Sequence, residues 1–406
     1  MRYWDTEVIN SVSGQERKKF LSKKQIIKFL YRHGILSSAE LTNLIRLSTP
    51  TTLSYLNELV DEGYIENRGK GDSIGGRRPN MYGLVKNSVY VLGVEIGRKA
   101  IKIGLFNNEL EKIAGVTHEV HNIPTEKEAV GLIYSMAQDM LGDNSPVFAK
   151  IIGVGITMPG LIDSEAGINY TYMHFGSTPL TELFSEKFKC PVVLENDAKA
   201  RTLAEMKFGA AKGVPNAMLV LVEWGLGLGM ILNGKLFKGQ NGFSGEFSHI
   251  PIDPNGILCN CGKIGCLETM ASGHALVRYT LEALSSNPNS LLYQYYQENA
   301  SLITPRRIIE AAKMGDALAI AQISRIGAAL GKGISYLIQI LNPGVIILGG
   351  SVSNASEYLV TPLQQALYQY CLPQLRENID LRISPLDSDA NVLGAAAVLI
   401  EQALSS

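Results

Sequence analysis

The sequence predicts an α/β protein with a small basic helical head and a larger acidic body of two α/β lobes. Three observations lead there. Residues 1–86 carry 14 Lys and Arg against 9 Asp and Glu, while the other 320 residues carry 23 against 29. Capping patterns recur at short intervals up to Gly63, and β-rich runs begin after Asn87. One His and three of the chain's five cysteines fall within eighteen residues, from His249 to Cys266. A chain of 406 residues allows two or three domains with full cores. Its apolar content of 46% and charged content of 18% are ordinary for a globular protein. No apolar run has the length of a membrane span. Met1-Arg2-Tyr3-Trp4-Asp5-Thr6-Glu7 is polar and unlike a signal peptide, and candidate thiolate ligands point to a reducing cytoplasm.

The head, residues 1–85, is read element by element. Ser22-x-x-Gln25 is a capping-box pattern that predicts a helix with Ile26, Ile27, Leu30 and Tyr31 on one face, ended by Gly34. Ser37-x-x-Glu40 predicts a short second helix through Leu41, Leu44 and Ile45. Thr49-Pro50 predicts a third, with Thr49 as N-cap and Pro50 at the first helical position. Its apolar stripe is Leu53, Leu56, Leu59 and Val60. Thr51, Thr52, Ser54, Tyr55 and Asn57 make the other, polar face, the kind of surface a major groove accepts. A hairpin follows, from Tyr64–Arg68 to Arg77–Leu84, with a Gly-rich tip. These elements together predict a winged helix-turn-helix. Arg77 and Arg78 are its candidate phosphate or minor-groove contacts, and Thr49, Thr51, Thr52, Ser54 and Tyr55 its candidate DNA-binding face. A three-helix protein-docking domain is the competing account.

In the body, Val89–Glu95, Ala100–Phe106 and Lys112–Val120 predict a strand meander, and Thr125 caps a helix through Leu141. Ile151–Ile156 and Val192–Glu195 are short apolar strands of the buried type. A second series begins at Ala217–Glu223, continues at Met230–Leu232 and Val345–Leu348, and ends in a helix over Asn391–Leu404. Meanders followed by alternating helices, twice over, predict two lobes around a cleft. The first takes residues 86–205 with 389–406, and the second 206–388.

His249, Cys259, Cys261 and Cys266 are a set of donors suited to zinc, and four protein ligands with no open position read as a structural site. The competing account is buried free cysteines on a Gly-rich loop. Gly245-Glu246-Phe247-Ser248-His249 followed by Cys259-Asn260-Cys261-Gly262-Lys263-Ile264-Gly265-Cys266-Leu267-Glu268 resembles the signature of the ROK family of repressors, open reading frames and sugar kinases. The resemblance runs from about residue 20 to the C-terminus. It implies that the four donors bind structural zinc and that Glu246, His249 and Glu268 touch a sugar. It also implies two ribonuclease-H-like lobes of the actin and sugar-kinase superfamily. Gly153–Asp163 resembles the family's Gly-x-x-x-Pro-Gly-x-x-Asp segment, so Gly160 joins the sugar set. Asn196 and Asp197 match the family's sugar-holding Asn and, in its kinases, the catalytic base.

The pattern departs from a kinase at the phosphate loops. Family kinases open with Gly-x-Asp-x-Gly-Gly-Thr-Lys, where this chain has Gly93-Val94-Glu95-Ile96-Gly97-Arg98-Lys99. The second loop, Gly-Thr-Gly-x-Gly-x-Gly in kinases, reads Trp224-Gly225-Leu226-Gly227-Leu228-Gly229. Glycine loops bind phosphate by close approach of their N–H groups, and bulk works against that. The wing Gly75-Gly76-Arg77-Arg78-Pro79 resembles that of the family's repressors. The expectation is therefore a transcriptional repressor without kinase activity. Its partners would be a palindromic operator, a sugar or sugar-phosphate effector and a second copy of the chain, as a homodimer or tetramer. The rivals are a sugar kinase with a regulatory head and a protein-docking module.

Overall fold

Helix α1 (Gly14–His33) opens the chain's regular structure in a computed structural model that describes residues 3, 13–71, 78–120, 125–142, 145–173 and 178–405. The helix begins eight residues before Ser22, whose hydroxyl donates to the carbonyl of Lys18 instead of capping. Tertiary burial explains the earlier start: Phe20 and Lys23 are buried, and Tyr3 stacks on Phe20 at 5.0 Å. Gly34, at φ 76°, ends the helix as the sequence predicts.

Strand β1 (Leu36–Ser37) leads into α2 (Ser38–Ile45), where Ser37 and Glu40 form the predicted capping box in both directions. Helix α3 (Thr49–Asp61) is capped by Ser48, one residue before the predicted N-cap, so Thr49 is the first helical residue. Strands β2 (Ile65–Lys70) and β3 (Asn80–Leu84) complete a three-stranded sheet of order β1-β3-β2. Ile26, Ile27, Leu30, Leu41, Leu56, Leu59 and Ile65 fill the head's core. The buried Lys23 ammonium meets Glu58 at 2.7 Å and Glu62 at 2.6 Å, tying α1 to α3.

The chain divides into two compact units: residues 1–196 with 391–406, and 197–390. Beyond the head, the first unit holds a meander of β4 (Tyr90–Ile96), β5 (Ala100–Asn107) and β6 (Lys112–Glu119). Helix α4 (Glu126–Leu141) follows, capped by the Thr125–Glu128 box, and then β7 (Ile151–Met158). A small hairpin of β8 (Ile162–Asp163) and β9 (Ile168–Asn169), helix α5 (Leu180–Phe188) and β10 (Val192–Asn196) complete it. The sheet order is β10-β7-β4-β5-β6, with β7 parallel to both β4 and β10. The C-terminal helix, Ala390–Ser405, lies against this sheet so closely that a Cβ on Gly155 would sit 1.9 Å from the Ala395 carbonyl oxygen. Only a residue without a side chain fits there.

The second unit repeats the plan. Helix α6 (Asp197–Phe208) precedes the antiparallel strands β11 (Ala217–Val222), β12 (Leu226–Leu232) and β13 (Lys235–Leu236). The helices are α7 (Glu268–Ala271), α8 (Gly273–Leu284), α9 (Tyr293–Glu298), α10 (Pro305–Lys313) and α11 (Ala317–Leu341). Strand β14 (Val345–Gly349), helices α12 (Glu357–Tyr370) and α13 (Pro373–Arg376) and strand β15 (Asp380–Ile383) end the unit. The sheet order β13-β12-β11-β14-β15 mirrors the first, with β14 parallel to β11 and to β15. The glycines of α11 serve internal packing: a Cβ on Gly327 or Gly331 would strike α12, and one on Gly333 would strike Leu267. Among the described residues no helix is long and apolar enough to cross a membrane.

Candidate functional site

The segment between β13 and α7 gathers the four candidate metal ligands. His249 ends a single 3-10 turn over Phe247–His249. The segment then doubles back through two isolated bridges, Pro251 with Cys266 and Leu258 with Ile264. The N–H of Cys259 donates to the Lys263 carbonyl at 2.8 Å, which folds the Cys259–Cys261 turn tightly. Gly265, at φ 69°, is required here, because a Cβ would lie 1.7 Å from the Asp253 carbonyl oxygen. The result places Cys259 Sγ 3.6 Å from His249 Nδ1 and Cys261 Sγ 3.6 Å from Cys266 Sγ. All four ligand atoms lie within 4.8 Å of one another.

That geometry fits a tetrahedral ion. With Zn–S about 2.3 Å and Zn–N about 2.0–2.1 Å, neighbouring ligand atoms stand roughly 3.5–3.8 Å apart. The chemistry of the donor set agrees. Burial pushes the Cys266 thiol up to about 12, so a neighbouring cation is what would let these sulfurs ionise together. His249 turns Nδ1 toward the sulfurs, which leaves Nε2 for another partner.

The second unit's other candidate residues are Glu268, Glu246 and Asp197. Glu268 is the first residue of α7, and its Oε2 accepts the N–H of Leu226 at 3.4 Å. Glu246 is exposed at the start of the His249 turn. Partial burial of its carboxyl raises its pKa, the Glu268 carboxylate adds to this, and the Lys199 ammonium opposes it. Asp197 begins α6 and accepts the N–H of Ala198 at 2.8 Å. In the first unit, Asn196 Nδ2 donates to the Gly160 carbonyl at 3.1 Å, and its N–H meets the buried Glu195 carboxylate at 3.0 Å. Gly160 has φ 110°.

Two residues were not foreseen in the sequence. Lys199 is buried, and its ammonium donates to the Gly242 carbonyl at 2.7 Å, anchoring the loop that carries Glu246. Glu223 accepts the N–H of Ser351 at 2.8 Å and its hydroxyl at 2.5 Å. That N–H follows Gly349-Gly350, the turn that resembles a nucleotide-side loop. The donors are thus already engaged by the chain's own carboxylate. Trp224 lies tilted against His274, with ring centroids 5.2 Å apart. At the other altered loop, Glu95 accepts from Asn391 Nδ2 at 2.7 Å and lies 3.6 Å from Lys102 Nζ.

The head presents part of the predicted DNA face. Thr49, Ser54 and Asn57 are exposed, and Thr51 and Tyr55 are half-buried. Thr52 is not on that face. It is fully buried, and its hydroxyl donates to the Ser48 carbonyl at 3.1 Å. The inward stripe is Thr52, Leu56 and Leu59, while Val60 reaches solvent. Arg78 is exposed; Arg77, with Gly75 and Gly76, lies outside the described residues.

Residues 91–402 match the ROK family, and residues 21–66 match a winged helix-turn-helix DNA-binding domain. The xylose repressor of Caldicellulosiruptor bescii is 30% identical over 390 residues, covering 95% of this chain and 97% of that protein. The glucokinase of Halalkalibacterium halodurans is 34% identical over 321 residues, covering 77% of this chain and 96% of that protein. The crystal structure of a ROK family transcriptional regulator, homologous to the E. coli MLC protein, superposes with a TM-score of 0.80 at 27% identity, covering 95% of this chain and 96% of that one. With the family match spanning most of its length and a winged helix ahead of it, this chain belongs to the ROK family.

Proposed function

We propose that this chain is a sugar-responsive transcriptional repressor. The winged helix binds operator DNA, and the body binds a sugar or sugar phosphate that lowers operator affinity. The observation that carries this reading is the winged helix itself, joined to a ROK body along a length that a xylose repressor shares almost end to end. Ser54, Asn57, Tyr55 and Thr51 give α3 a polar outward face suited to base edges, and Arg78 supplies charge for phosphate.

Asp197, Glu246, His249 and Glu268 are the proposed sugar contacts of the second unit. Carboxylates and an imidazole nitrogen accept hydrogen bonds from hydroxyls, and a metal on His249 Nδ1 would fix the ring so that Nε2 faces a ligand. His249, Cys259, Cys261 and Cys266 would hold zinc, which braces the loop. The sugar acts as inducer only if its affinity differs between the DNA-binding and DNA-releasing states. A second copy of the chain is part of the proposal, because one head reads few base pairs.

The kinase reading has two features in its favour: Asp197 stands where family kinases keep their base, and a glucokinase is among the relatives. Against it, Glu223 engages the Ser351 donors, and Trp224 puts a bulky ring where family kinases have a small residue of the second phosphate loop. Phosphoryl transfer depends on positioning and charge stabilisation of the phosphates, so these changes work against it. A thermal-shift screen with free, N-acetylated and phosphorylated sugars tests the sensing part, since a ligand of the native state raises the melting temperature. No response from any sugar would overturn it.

A further inference from the structure

We infer that the second unit has a separate pocket for a phosphate-bearing small molecule, on the α8–α11–α12 side of the zinc-loop segment. A cavity of about 600 Å³ opens there, within the range of small-molecule sites. Arg278 from α8 and Arg325 and Lys332 from α11 line it, against one acidic lining residue, Asp253. Arg325 and Lys332 are seven residues apart, on one face of the helix.

Uncharged groups hold Arg325 and Lys332 in place. The Arg325 guanidinium lies 3.5 Å from the centroid of the Tyr279 ring, and that of Arg278 4.2 Å from the same centroid. Lys332 Nζ donates to the Ile252 carbonyl at 3.1 Å and sits 5.8 Å from the Tyr370 centroid. Arg278 donates to the Thr269 carbonyl at 2.8 Å and pairs with the more exposed Glu282 at 3.0 Å. Its Nε is shielded from solvent and has no hydrogen-bond partner among the described residues.

Stacked guanidinium groups with open donors bind tetrahedral oxyanions through two-pronged hydrogen bonds, and an ammonium adds a point charge. Arg278, Arg325 and Lys332 outnumber Asp253 and Glu282, and a phosphate monoester, which carries a charge of roughly −1.5 to −2 at neutral pH, complements that excess. Gln365 and Gln369 of α12 line the same cavity and can bond the rest of such a molecule. Ile252 and Asp253 lie between His249 and Cys259, and Thr269 follows Glu268, so an occupant would hold the back of the zinc loop to α8 and α11.

The test uses the full-length, zinc-loaded protein and calorimetry at matched ionic strength, with inorganic phosphate, a hexose 6-phosphate and the same hexose unphosphorylated. The pocket predicts binding of both phosphate probes. Arg325→Gln and Ala328→Glu should each weaken it by about tenfold or more, the second by placing a carboxylate among the cations. Asp197→Ala should leave inorganic phosphate binding unchanged. Binding of the hexose phosphate alone supports the pocket if it weakens in Arg325→Gln and persists in Asp197→Ala, and overturns it if the reverse holds; equal binding of both makes phosphate itself the ligand and supports the pocket. No binding of either phosphate probe overturns the inference, and so does binding that survives in both pocket variants. Loss of self-association in Ala328→Glu, without phosphate binding by the parent protein, also overturns it, since this face would then be covered by a second copy.

Discussion

Thr52 separates a packing role from a reading role in the head. The residue is fully buried, and its hydroxyl and its N–H both reach the Ser48 carbonyl, at 3.1 and 2.9 Å. Thr52→Val keeps the shape and removes one hydrogen bond, while the Ser48 carbonyl keeps its backbone donor. The cost is therefore at the low end of the range for a buried hydrogen bond, about 0.5–1 kcal/mol. Thr52→Ala also deletes a buried methyl group, worth about 0.8 kcal/mol, and leaves a small void, for a total of about 1–2 kcal/mol. Because the chain divides into two compact units, one global unfolding free energy is a poor readout. Hydrogen exchange of the α3 amides reports local opening instead. Protection should fall roughly 5–30-fold in Thr52→Ala and clearly less in Thr52→Val. Selection from random DNA should return the same operator for both variants, whereas Ser54→Ala should change it. An altered base preference in Thr52→Val with unchanged α3 exchange would refute the buried placement.

Three further outcomes follow from the body. The protein purified without chelator should carry one zinc per chain, and Cys261→Ser, at an exposed position with little packing to lose, should lower metal content and melting temperature together; elemental analysis finding no zinc in the parent protein would contradict this. ATP-dependent phosphorylation of a hexose panel should stay at background, and turnover abolished by Asp197→Asn would establish the kinase reading instead. At Asp316, burial alone would raise the carboxyl, but the N–H groups of Ala319 and Leu291 and the Ser290 hydroxyl hold it below its ordinary value. A depressed folded pKa stabilises fully above the unfolded value of about 3.9, and the contribution fades as pH falls through the folded one. Asp316→Asn should thus melt lower at neutral pH, with the gap to the parent protein closing below about pH 4.

What the sequence revealed follows how local each cause is. The Ser37–Glu40 box, the Thr125 cap, the Gly34 stop and the strand meanders rest on residues within a turn or a strand of one another, and each forms where the pattern lies. The His249–Cys266 cluster was legible because its donors are close in sequence and their chemistry is restrictive. The start of α1 was missed because Ser22 imitates a cap while the burial of Phe20 and Lys23 prolongs the helix ahead of it. Thr52 was misplaced because two stripes of helical period compete on α3, and the apolar one looked inward; the core instead takes Thr52 and leaves Val60 outside. The Glu223–Ser351 pair joins positions 128 residues apart, and Lys199 finds its carbonyl 43 residues away. Neither pairing has a trace in local pattern, and both depend on the finished sheet of the second unit.

The most direct test of the account is operator affinity measured with and without the sugar found by thermal shift, on the parent protein, Asp197→Ala and Glu268→Ala. The account predicts equal operator affinity for all three without sugar, release of the parent protein by the sugar, and retention of both variants on DNA. Enrichment of no DNA sequence, or sugar-driven release that survives in both variants, would contradict it.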